Sequence, residues 1–600
     1  MSVDATRPWP KLSPVQRFGP LLAVVVLVVG AGTVATVKGR SADSRPGAST
    51  SGGTTPGGKD GVEGDHYEDA SQLAPLYSEA KEAGTLDDAD WGDRCDPDTG
   101  RIMLPSVYAP PCVPKWGGSK PWTDRSGKVH ADNGGATAPG VTSDEIVVAY
   151  YVPGPADLLT TAEALGIYDS ADMRIKATQE LIDLAQANYE TYGRKVVVKP
   201  YRASGDGVNS AQARADARKV AEDMHAFASI GGPTQAIAYQ DELARRGVLC
   251  VGCGAAAPDR TYQENAPYTW GIFATPNQIV QGVLDFGVKN LMGKPARFAG
   301  DPAVRAEKRV TGIVHYEQDP PLYGDLTAKL TARYKKLGAE SKVTISYLLD
   351  QATLPRQAQG IVSRLKQAKI TSVVFIGDPL MLIQLTAAAT KQNYFPEWQI
   401  TGTVLTDATA TGRLMDQKQW VHAFGASALA ARSTPELGEA WRLYKWFYGK
   451  DPAARKSLPV LQPPVQLLFN GIHLAGPDLN AQTFAGGMFR YPKSGGGPTT
   501  PQISYGHGLF DTTDYVGVDD ITLVWWDGEL EGPDEQGTEG KGMWRYVERG
   551  KRMLLGEARE VSDDALFVDS PDSPGILKEI PASDRTKDYP PPKGAPAAGN

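Results

Sequence analysis

The sequence predicts an α/β protein in which two doubly wound, mainly parallel sheets form two lobes joined by a hinge. Between residues 310 and 407, short apolar runs rich in β-branched residues alternate with stretches of helical spacing. Parallel strands need crossover helices, so this alternation indicates a sheet with helices on both faces. A second series of the same kind occupies residues 145–291. Two lobes of like construction, joined by crossing segments, are the simplest architecture.

The individual elements follow from these periodicities. In the first lobe the sequence predicts strands at 145–152, 195–201, 226–231 and 248–251, and helices at 173–192, 210–224, 234–245 and 276–291. In the second lobe it predicts strands at 310–316, 342–348, 372–376 and 398–404, and helices at 322–337, 358–369 and 380–392. Later elements are predicted at 421–427 (strand), 435–448 and 460–475 (helices), and 503–509 and 521–526 (strands).

Length and charge limit the classes of protein that this chain represents. Its 600 residues exceed what a single hydrophobic core accommodates, so several domains are expected. The net charge is −8, and no basic stripe is interleaved with aromatic residues, which argues against a nucleic-acid partner.

The N-terminus predicts a membrane segment. Residues 18–37 carry no charge and lie between basic residues, and a helix of this length spans about 30 Å, enough for a hydrocarbon core. We expect a single-pass anchor in the cell membrane with the bulk of the chain extracytoplasmic; a cleaved signal, giving a secreted protein, is the alternative. Residues 1–17 would be cytoplasmic, and residues 38–65 form a flexible linker rich in Gly, Ser, Thr and Pro.

The remaining chain divides into three predicted regions. Residues 66–140 form an irregular extension with one helix at 70–83. Residues 141–528 form the two-lobe domain, with lobe 1 at about 141–295 plus a returning segment and lobe 2 at about 305–430 plus later segments. Residues 529–600 form an acidic, then Pro-rich extension that ends in a disordered tail.

The four cysteines are even in number, which favours two disulfides in an exported chain. Cys95 and Cys112 bracket a loop rich in Pro and Gly, and we expect them to pair. Cys250 and Cys253 are too far apart in a straight strand, so their disulfide requires a turn at Gly252. Reduced core cysteines and a redox site are the alternatives for this second pair.

Catalytic and cofactor motifs are scarce. The seven histidines include no pair at helical spacing, and the sequence contains no nucleophile elbow, phosphate loop or dinucleotide fingerprint. Asp519 and Asp520 precede a strand and are interpreted as a turn or a solvated edge rather than a catalytic dyad. We therefore expect a protein that is not an enzyme, with no metal site and no cofactor.

Small and polar residues follow the predicted strands of both lobes, where ligands bind on doubly wound sheets. Residues 231–235 open a helix whose free N–H groups suit an anion, although a simple helix cap explains them as well. Residues 252–257 are a run of small residues. In the second lobe, Tyr323 and Gly324 open a helix, and 377–379 follow a buried strand.

Taken in order, these stretches resemble the type I periplasmic binding proteins, in particular the leucine/isoleucine/valine-binding family of ABC transporter receptors. The resemblance covers about residues 141–527. Its most specific parts are 140–146 at the first strand, 229–235, the strand and small-residue turn at 248–262, the Tyr323–Gly324 pair, and 523–527.

The resemblance implies a periplasmic-binding-protein-like I fold that closes on a small ligand. By resemblance, Thr234, Gln235, Ala255 and Ala256 hold a carboxylate, and Tyr323 and Asp378 contribute from the second lobe. Two positions depart from the family pattern. Ala256 stands where a hydroxyl is expected, and no acidic residue follows the fourth strand of the second lobe until Asp407. Both departures count against branched-chain amino acids as ligands.

We therefore expect the extracytoplasmic solute-binding receptor of an ABC-type importer, with a clamshell that closes on an amino-acid-like or amide-like ligand. A membrane permease would be its partner. The alternatives are an exported envelope hydrolase and a ligand sensor without transport.

Overall fold

The structure is a computed structural model that describes residues 72–599 apart from positions 156, 165–167, 206, 208, 234–235, 254–256, 318–322, 339–340, 351, 507–511 and 536. Residues 72–140 form the N-terminal extension. It contains helix α1 (Tyr77–Ala83) and two short hairpins, Cys95–Asp96 with Arg101–Ile102 and Trp122–Thr123 with Val129–His130. Its buried side chains Leu104, Val113 and Trp122 join the apolar core of lobe 1. The extension is thus packed onto the body of the protein.

Lobe 1 contains a five-stranded sheet. Its strands are β1 (Glu145–Val152), β2 (Lys195–Arg202), β3 (Ala228–Ile230), β4 (Leu249–Val251) and β5 (Thr269–Trp270). They lie in the order β2–β1–β3–β4–β5, and every neighbouring pair is parallel. The helices between them are α2 (Leu158–Ala164), α3 (Ala171–Gln186), α4 (Ser210–Glu222), α5 (Ala238–Arg245) and α6 (Asp259–Glu264). Apolar clusters cover both faces of the sheet, which agrees with a parallel sheet buried on both sides.

The chain then enters lobe 2 through helix α7 (Pro276–Asn290). Thr275 and Gln278 form a capping box at its start, and Pro276, with its fixed φ, is its first residue. The first strands of this lobe are β6 (Thr311–Glu317), β7 (Ser341–Leu348), β8 (Ser372–Ile376), β9 (Glu397–Ile400) and β10 (Ala423–Ser427). Their parallel order, β7–β6–β8–β9–β10, repeats the order of lobe 1. The accompanying helices are α8 (Tyr323–Lys336), α9 (Leu354–Gln367), α10 (Pro379–Lys391), α11 (Thr409–Gly412) and α12 (Gln417–Trp420).

After β10 the chain returns to lobe 1. Helices α13 (Glu439–Tyr448), α14 (Leu458–Ala475) and α15 (Ala481–Phe489) bury their apolar faces in the lobe 1 core. The chain then crosses a third time and adds β11 (Asp520–Pro533), β12 (Glu539–Tyr546) and β13 (Met553–Leu554) to the lobe 2 sheet by antiparallel pairing. Three segments therefore join the lobes. A parallel bridge between Gly271 and Val516 holds the first against the third.

Both predicted cysteine pairs form disulfides. Cys95 joins Cys112 at a sequence separation of 17, and Cys250 joins Cys253 at a separation of 3. Gly252 adopts a φ of 59° between the second pair, so the chain turns where the disulfide requires a turn.

Removal of the Cys95–Cys112 disulfide is expected to destabilise the protein more than removal of the Cys250–Cys253 disulfide. The entropy of the unfolded chain makes the longer loop worth about 3 kcal/mol and the short loop about half of that. Urea unfolding of the Cys95→Ala/Cys112→Ala and Cys250→Ala/Cys253→Ala double variants, each against wild type under non-reducing conditions, measures the two losses. A smaller loss for the first pair would contradict the expectation.

The predicted localisation is corrected. The proposed anchor at 18–37, its flanks at 1–17 and the linker at 38–65 lie outside the described residues. Within the part of the chain that the structure describes, no helix combines the length and apolar character needed to cross a membrane.

Three further predictions from the sequence differ from the structure. The predicted extension after residue 528 is not separate, because β12 places Trp544 against Trp526 of β11, with 5.3 Å between the ring centroids. The predicted strand at 398–404 ends at Ile400, because Gly402 has a φ of 73° and a short 3₁₀ turn follows. The predicted strand at 503–509 has only isolated bridges in its described part.

Asp519 and Asp520, interpreted as a turn or solvated edge, are buried. The guanidinium of Arg552 donates to Asp520 at 2.7 Å, and the Ser504 hydroxyl donates to Asp519 at 2.6 Å. Burial became possible because these partners, remote in sequence, neutralise or solvate the carboxyl groups.

Candidate functional site

Both sheets reverse their strand order beside their first strand, and the reversal marks where doubly wound proteins bind ligands. In lobe 1 the reversal lies between β1 and β3, and in lobe 2 between β6 and β8. Gly231 and Gly232 follow β3, and Gly377 and Asp378 follow β8. The sequence-predicted stretches thus lie at corresponding edges of the two sheets.

Asp378 fixes the start of α10. Its Oδ1 accepts hydrogen bonds from the backbone N–H groups of Leu380 at 2.9 Å and Met381 at 3.1 Å. The Tyr347 hydroxyl donates to its Oδ2, and the Asp378 N–H donates to that hydroxyl at 3.0 Å. Burial raises the pKa of the carboxyl group above its ordinary value, although these hydrogen bonds oppose the rise. Asp378 is therefore a helix cap whose carboxylate orients Tyr347.

Tyr323 begins α8 and lies beside the same carboxylate. Its ring is 5.9 Å from that of Tyr316, which in turn is 5.7 Å from Tyr347. Burial raises the pKa of Tyr323 to about 12, and the charge of Asp378 adds to the rise. The Tyr323 hydroxyl donates no hydrogen bond to any described residue, so it is a polar group that a ligand can use.

The four predicted residues of lobe 1, Thr234, Gln235, Ala255 and Ala256, lie outside the described residues. Helix α5 begins at Ala238, later than the predicted start at 234. The flanking turns are tight: a Cβ on Gly232 would lie 2.6 Å from the carbonyl oxygen of Cys253. The chain segments after β3 and β4 therefore approach each other closely.

A cavity of about 480 Å³ lies where the two lobes and the crossing segments meet. Lobe 2 contributes Asp407 and Tyr546, and the extension contributes Tyr108. From lobe 1, helix α14 presents four residues at a spacing of four, so they share one face of the helix. They are Leu458, Gln462, Gln466 and Asn470. Pockets for small molecules in proteins commonly enclose about 300–1,000 Å³, so the cavity has the size of a ligand site.

The three crossing segments contribute apolar side chains to the wall of the cavity. Ile272 and Phe273 come from the first, Leu429 from the second, and Ile503 and Val518 from the third. Phe273 is 56% exposed, which is unusual for a phenylalanine at the junction of two lobes. An aromatic ring in this position can cover a ligand.

Glu439 of lobe 1 and Asp407 of lobe 2 line the same cavity, together with a third acidic residue, Glu535 of lobe 2. The Ser427 hydroxyl donates to Asp407 Oδ2 at 2.5 Å, and the Ser106 hydroxyl donates to Glu439 Oε1 at 2.5 Å. Burial raises the pKa of the Asp407 and Glu439 carboxyl groups to about 7. The sequence indicated Asp407 through its position after β9, but no sequence signal indicated Glu439, because its partner Ser106 lies in the extension.

The stability contributed by Glu439 is expected to depend on pH. Its raised pKa means that the folded state binds the proton more tightly than the unfolded state, so stability is greatest below the ordinary pKa and is lost as the pH rises through about 7. The free energy of unfolding of wild type minus that of Glu439→Gln should therefore fall between about pH 5 and pH 8, as urea unfolding would measure. Exposed Glu436→Gln is the control. A difference that is constant or rises with pH would contradict this account.

Metal ligands do not cluster in the described part of the chain. No group of three or more His, Cys, Asp and Glu side chains there has the arrangement of a metal site. What the site offers is a partly open cavity with apolar and aromatic walls and polar acceptors, which suits noncovalent binding.

No protein-family model matches the sequence, and no curated protein does. The comparison with solved structures finds solute-binding proteins of ABC transporters. A branched-chain amino acid ABC transporter periplasmic ligand-binding protein from Burkholderia xenovorans superposes with a TM-score of 0.47 at 11% identity, over 71% of this chain and 100% of that one.

Two further structures contain ligands. A solute-binding protein from Rhodopseudomonas palustris, in complex with 3,4-dihydroxybenzoic acid, gives a TM-score of 0.44 at 14% identity, over 69% of this chain and 99% of that one. LivJ from Streptococcus pneumoniae, in complex with isoleucine, gives a TM-score of 0.41 at 13% identity, over 67% of this chain and 100% of that one.

Proposed function

We propose that the protein is the solute-binding receptor of an ABC-type importer and binds a small amino-acid-like or amide-like ligand between its lobes. The observation that carries this proposal is the cavity at the lobe junction, to which both lobes and all three crossing segments contribute. A ligand that contacts both lobes binds the closed arrangement better than the open one and shifts the equilibrium towards closure.

The mechanism requires no chemical step. Phe273 and the apolar crossing segments would cover the ligand, and Asp407 and Tyr546 would face it from lobe 2. Tyr323 and Asp378, which do not line this cavity, would extend the lobe 2 side of the cleft along the strand ends. Thr234, Gln235, Ala255 and Ala256 would form the lobe 1 side, because they follow β3 and β4 in the chain. The closed receptor would then present a new surface to a membrane permease. In this proposal residues 141–528, with the β12 strand, are the ligand-binding domain.

The ligand class is open to a direct screen of the protein. A thermal-shift measurement against amino acids, short peptides, amides and sugars should give a shift of a few degrees with one class, since a ligand at a hundred times its Kd adds about 2.7 kcal/mol of stability. Stabilisation by one chemical class supports a receptor. The absence of any shift, together with hydrolysis of an envelope fragment, would favour the enzyme alternative.

Tyr323→Phe is expected to weaken binding of that ligand about tenfold, because loss of one hydrogen bond to the ligand corresponds to about 1.4 kcal/mol. The stability of the free protein should be unchanged, since the hydroxyl has no partner among the described residues. Titration calorimetry with the ligand found in the screen measures the Kd. Tyr334→Phe, on the same helix but packed against Gly287 of α7, is the control. Equal affinities for wild type and Tyr323→Phe would remove Tyr323 from the site.

A further inference from the structure

The cavity at the lobe junction is called the hinge cavity below. Three buried oxygen atoms of residues in its walls have no hydrogen-bond partner among the described residues. They are Asp407 Oδ1, Glu439 Oε2 and Asn470 Oδ1. Asp407 and Asn470 are 6% and 1% exposed. A carboxylate or amide oxygen only accepts hydrogen bonds, so all three atoms require a donor. Leaving such an atom buried and unpaired costs stability, and a donor on a bound ligand would remove that cost.

In the part of the chain that the structure describes, no cationic side chain forms an ion pair with these groups, although Arg442 is close enough to Glu439 to lower the pKa of its carboxyl group. Arg432, in the cavity wall, donates to Thr409 Oγ1 at 3.2 Å and to the Pro533 carbonyl at 2.7 Å, and it pairs with Glu535 at 3.6 Å. Arg455 is exposed and lies over the ring of Trp441, 5.4 Å from its centroid. Neither Asp407 nor Glu439 forms an ion pair with a described residue.

The polar atoms are built into the fold. Glu439 is held by the Ser106 hydroxyl, and Gln466 on α14 reaches that hydroxyl at 3.5 Å. Tyr108 donates to the Pro501 carbonyl at 2.7 Å, which fixes the extension against the third crossing segment. Asn470 lies one turn beyond Gln466 on the cavity face of α14. The acceptors of lobe 1 therefore stand on packed helices and not on a surface loop.

We infer that the hinge cavity binds an organic cation, a primary amine with an apolar body, whose ammonium group is held by Glu439 and Asn470 of lobe 1 and faces Asp407 of lobe 2. An ammonium group has three donors for these acceptors. Its apolar body would lie against Phe273, Leu429 and Leu458. This inference rests on the proposed function and specifies the ligand chemistry of the same receptor.

The raised pKa values of Asp407 and Glu439 agree with this assignment. Burial raises the pKa of each carboxyl group to about 7, and no ion pair offsets the rise. A bound ammonium ion would lower both values, since an opposite charge nearby favours the ionised form. The other charged groups that influence the two carboxyls are Arg442 and Asp584 for Glu439, and Glu535 for Asp407.

Titration calorimetry of the full chain with three probes of similar shape tests the inference. The probes are 2-phenylethylamine, 2-phenylethanol and 3-phenylpropionate, which carry a positive charge, no charge and a negative charge. The amine should bind at least tenfold more tightly than the other two. Glu439→Gln should weaken amine binding at least tenfold, while Glu436→Gln, three residues earlier and exposed, should leave it unchanged. Asn470→Asp should bind the amine at least as tightly as wild type.

The inference is wrong if the amine does not bind, if the alcohol or the acid binds equally well, or if Glu439→Gln keeps wild-type affinity. Circular dichroism of each variant shows whether it is folded, and Asn470→Asp tests the site independently of Glu439. Solution scattering separates this inference from the proposed function. If the acid binds and the lobes close, the receptor stands and the amine assignment falls. If the amine binds without closure, the site stands and the closing receptor falls.

Discussion

Glu397→Ala is expected to lower the free energy of unfolding by about 3–5 kcal/mol, the largest single effect that we predict for this protein. The carboxylate of Glu397 and the guanidinium of Arg309 form a bidentate pair, with Nε–Oε2 at 2.6 Å and Nη2–Oε1 at 2.9 Å. Their side chains are 0% and 4% exposed. Alanine would leave the buried guanidinium charge uncompensated, and it would also remove the acceptor of the Phe298 N–H.

Urea unfolding monitored by circular dichroism measures this loss. Exposed Glu307→Ala serves as the control and should lie within about 0.5 kcal/mol of wild type. The double variant Arg309→Met/Glu397→Leu should recover most of the loss, because apolar side chains of similar volume often replace a buried ion pair at little cost. A loss below about 1 kcal/mol for Glu397→Ala would show that the pair does not hold lobe 2 together.

Arg194→Met is expected to destabilise the protein by roughly 4 kcal/mol, because it leaves four carbonyl groups without their donor, two of them in buried hydrogen bonds. The guanidinium, 2% exposed, donates to Thr142 at 2.7 Å, Pro477 at 2.8 Å and Gly135 at 3.2 Å, and also to Asn133. These carbonyl groups belong to the N-terminal extension, the entry to β1 and the turn after α14. Arg194 therefore joins three parts of the chain that are distant in sequence.

In the Arg194→Met variant, trypsin should cut the N-terminal extension sooner than it does in wild type. Limited trypsin digestion followed by mass spectrometry would detect that cleavage, and urea unfolding would give the loss of stability. Arg202→Met, in the same strand region but 61% exposed at its side chain, is the matched control and should behave as wild type. If the extension stays protected from trypsin in Arg194→Met, its apolar contacts alone are enough to hold it on the body of the protein.

The alternation of strands and helices was predictable because it depends on local periodicity. The strand predicted at 310–316 is β6 (Thr311–Glu317), and the helix predicted at 460–475 is α14 (Leu458–Ala475). The predictions are wrong where a backbone turn or a residue distant in the sequence determines where a strand ends or pairs. Gly402 ends β9 early through its positive φ, and the strand pair β11–β12 depends on the contact between Trp526 and Trp544.

The site was less predictable than the fold. The sequence located Tyr323 at the start of α8 and Asp378 directly before α10, since strand ends and helix starts can be located from the sequence, and their role in a site remains a prediction. Their environment was not predictable, because the Tyr347 hydroxyl that binds Asp378 comes from another strand. Glu439 and Asn470 were missed altogether. Their role depends on the packing of the extension and of α14 around the cavity, and neither residue lies in a recognisable motif.

Small-angle X-ray scattering of the full chain, with and without the compound that stabilises it most in the thermal-shift screen, tests the central claim most directly. The claim is that ligand binding at the lobe junction closes two lobes that are joined by three crossing segments. The account predicts a smaller radius of gyration at saturating ligand. At a ligand concentration near the wild-type Kd, Tyr323→Phe, whose Kd is expected to be about tenfold higher, should show a smaller decrease than wild type. A saturated wild-type protein whose radius of gyration is unchanged would contradict it.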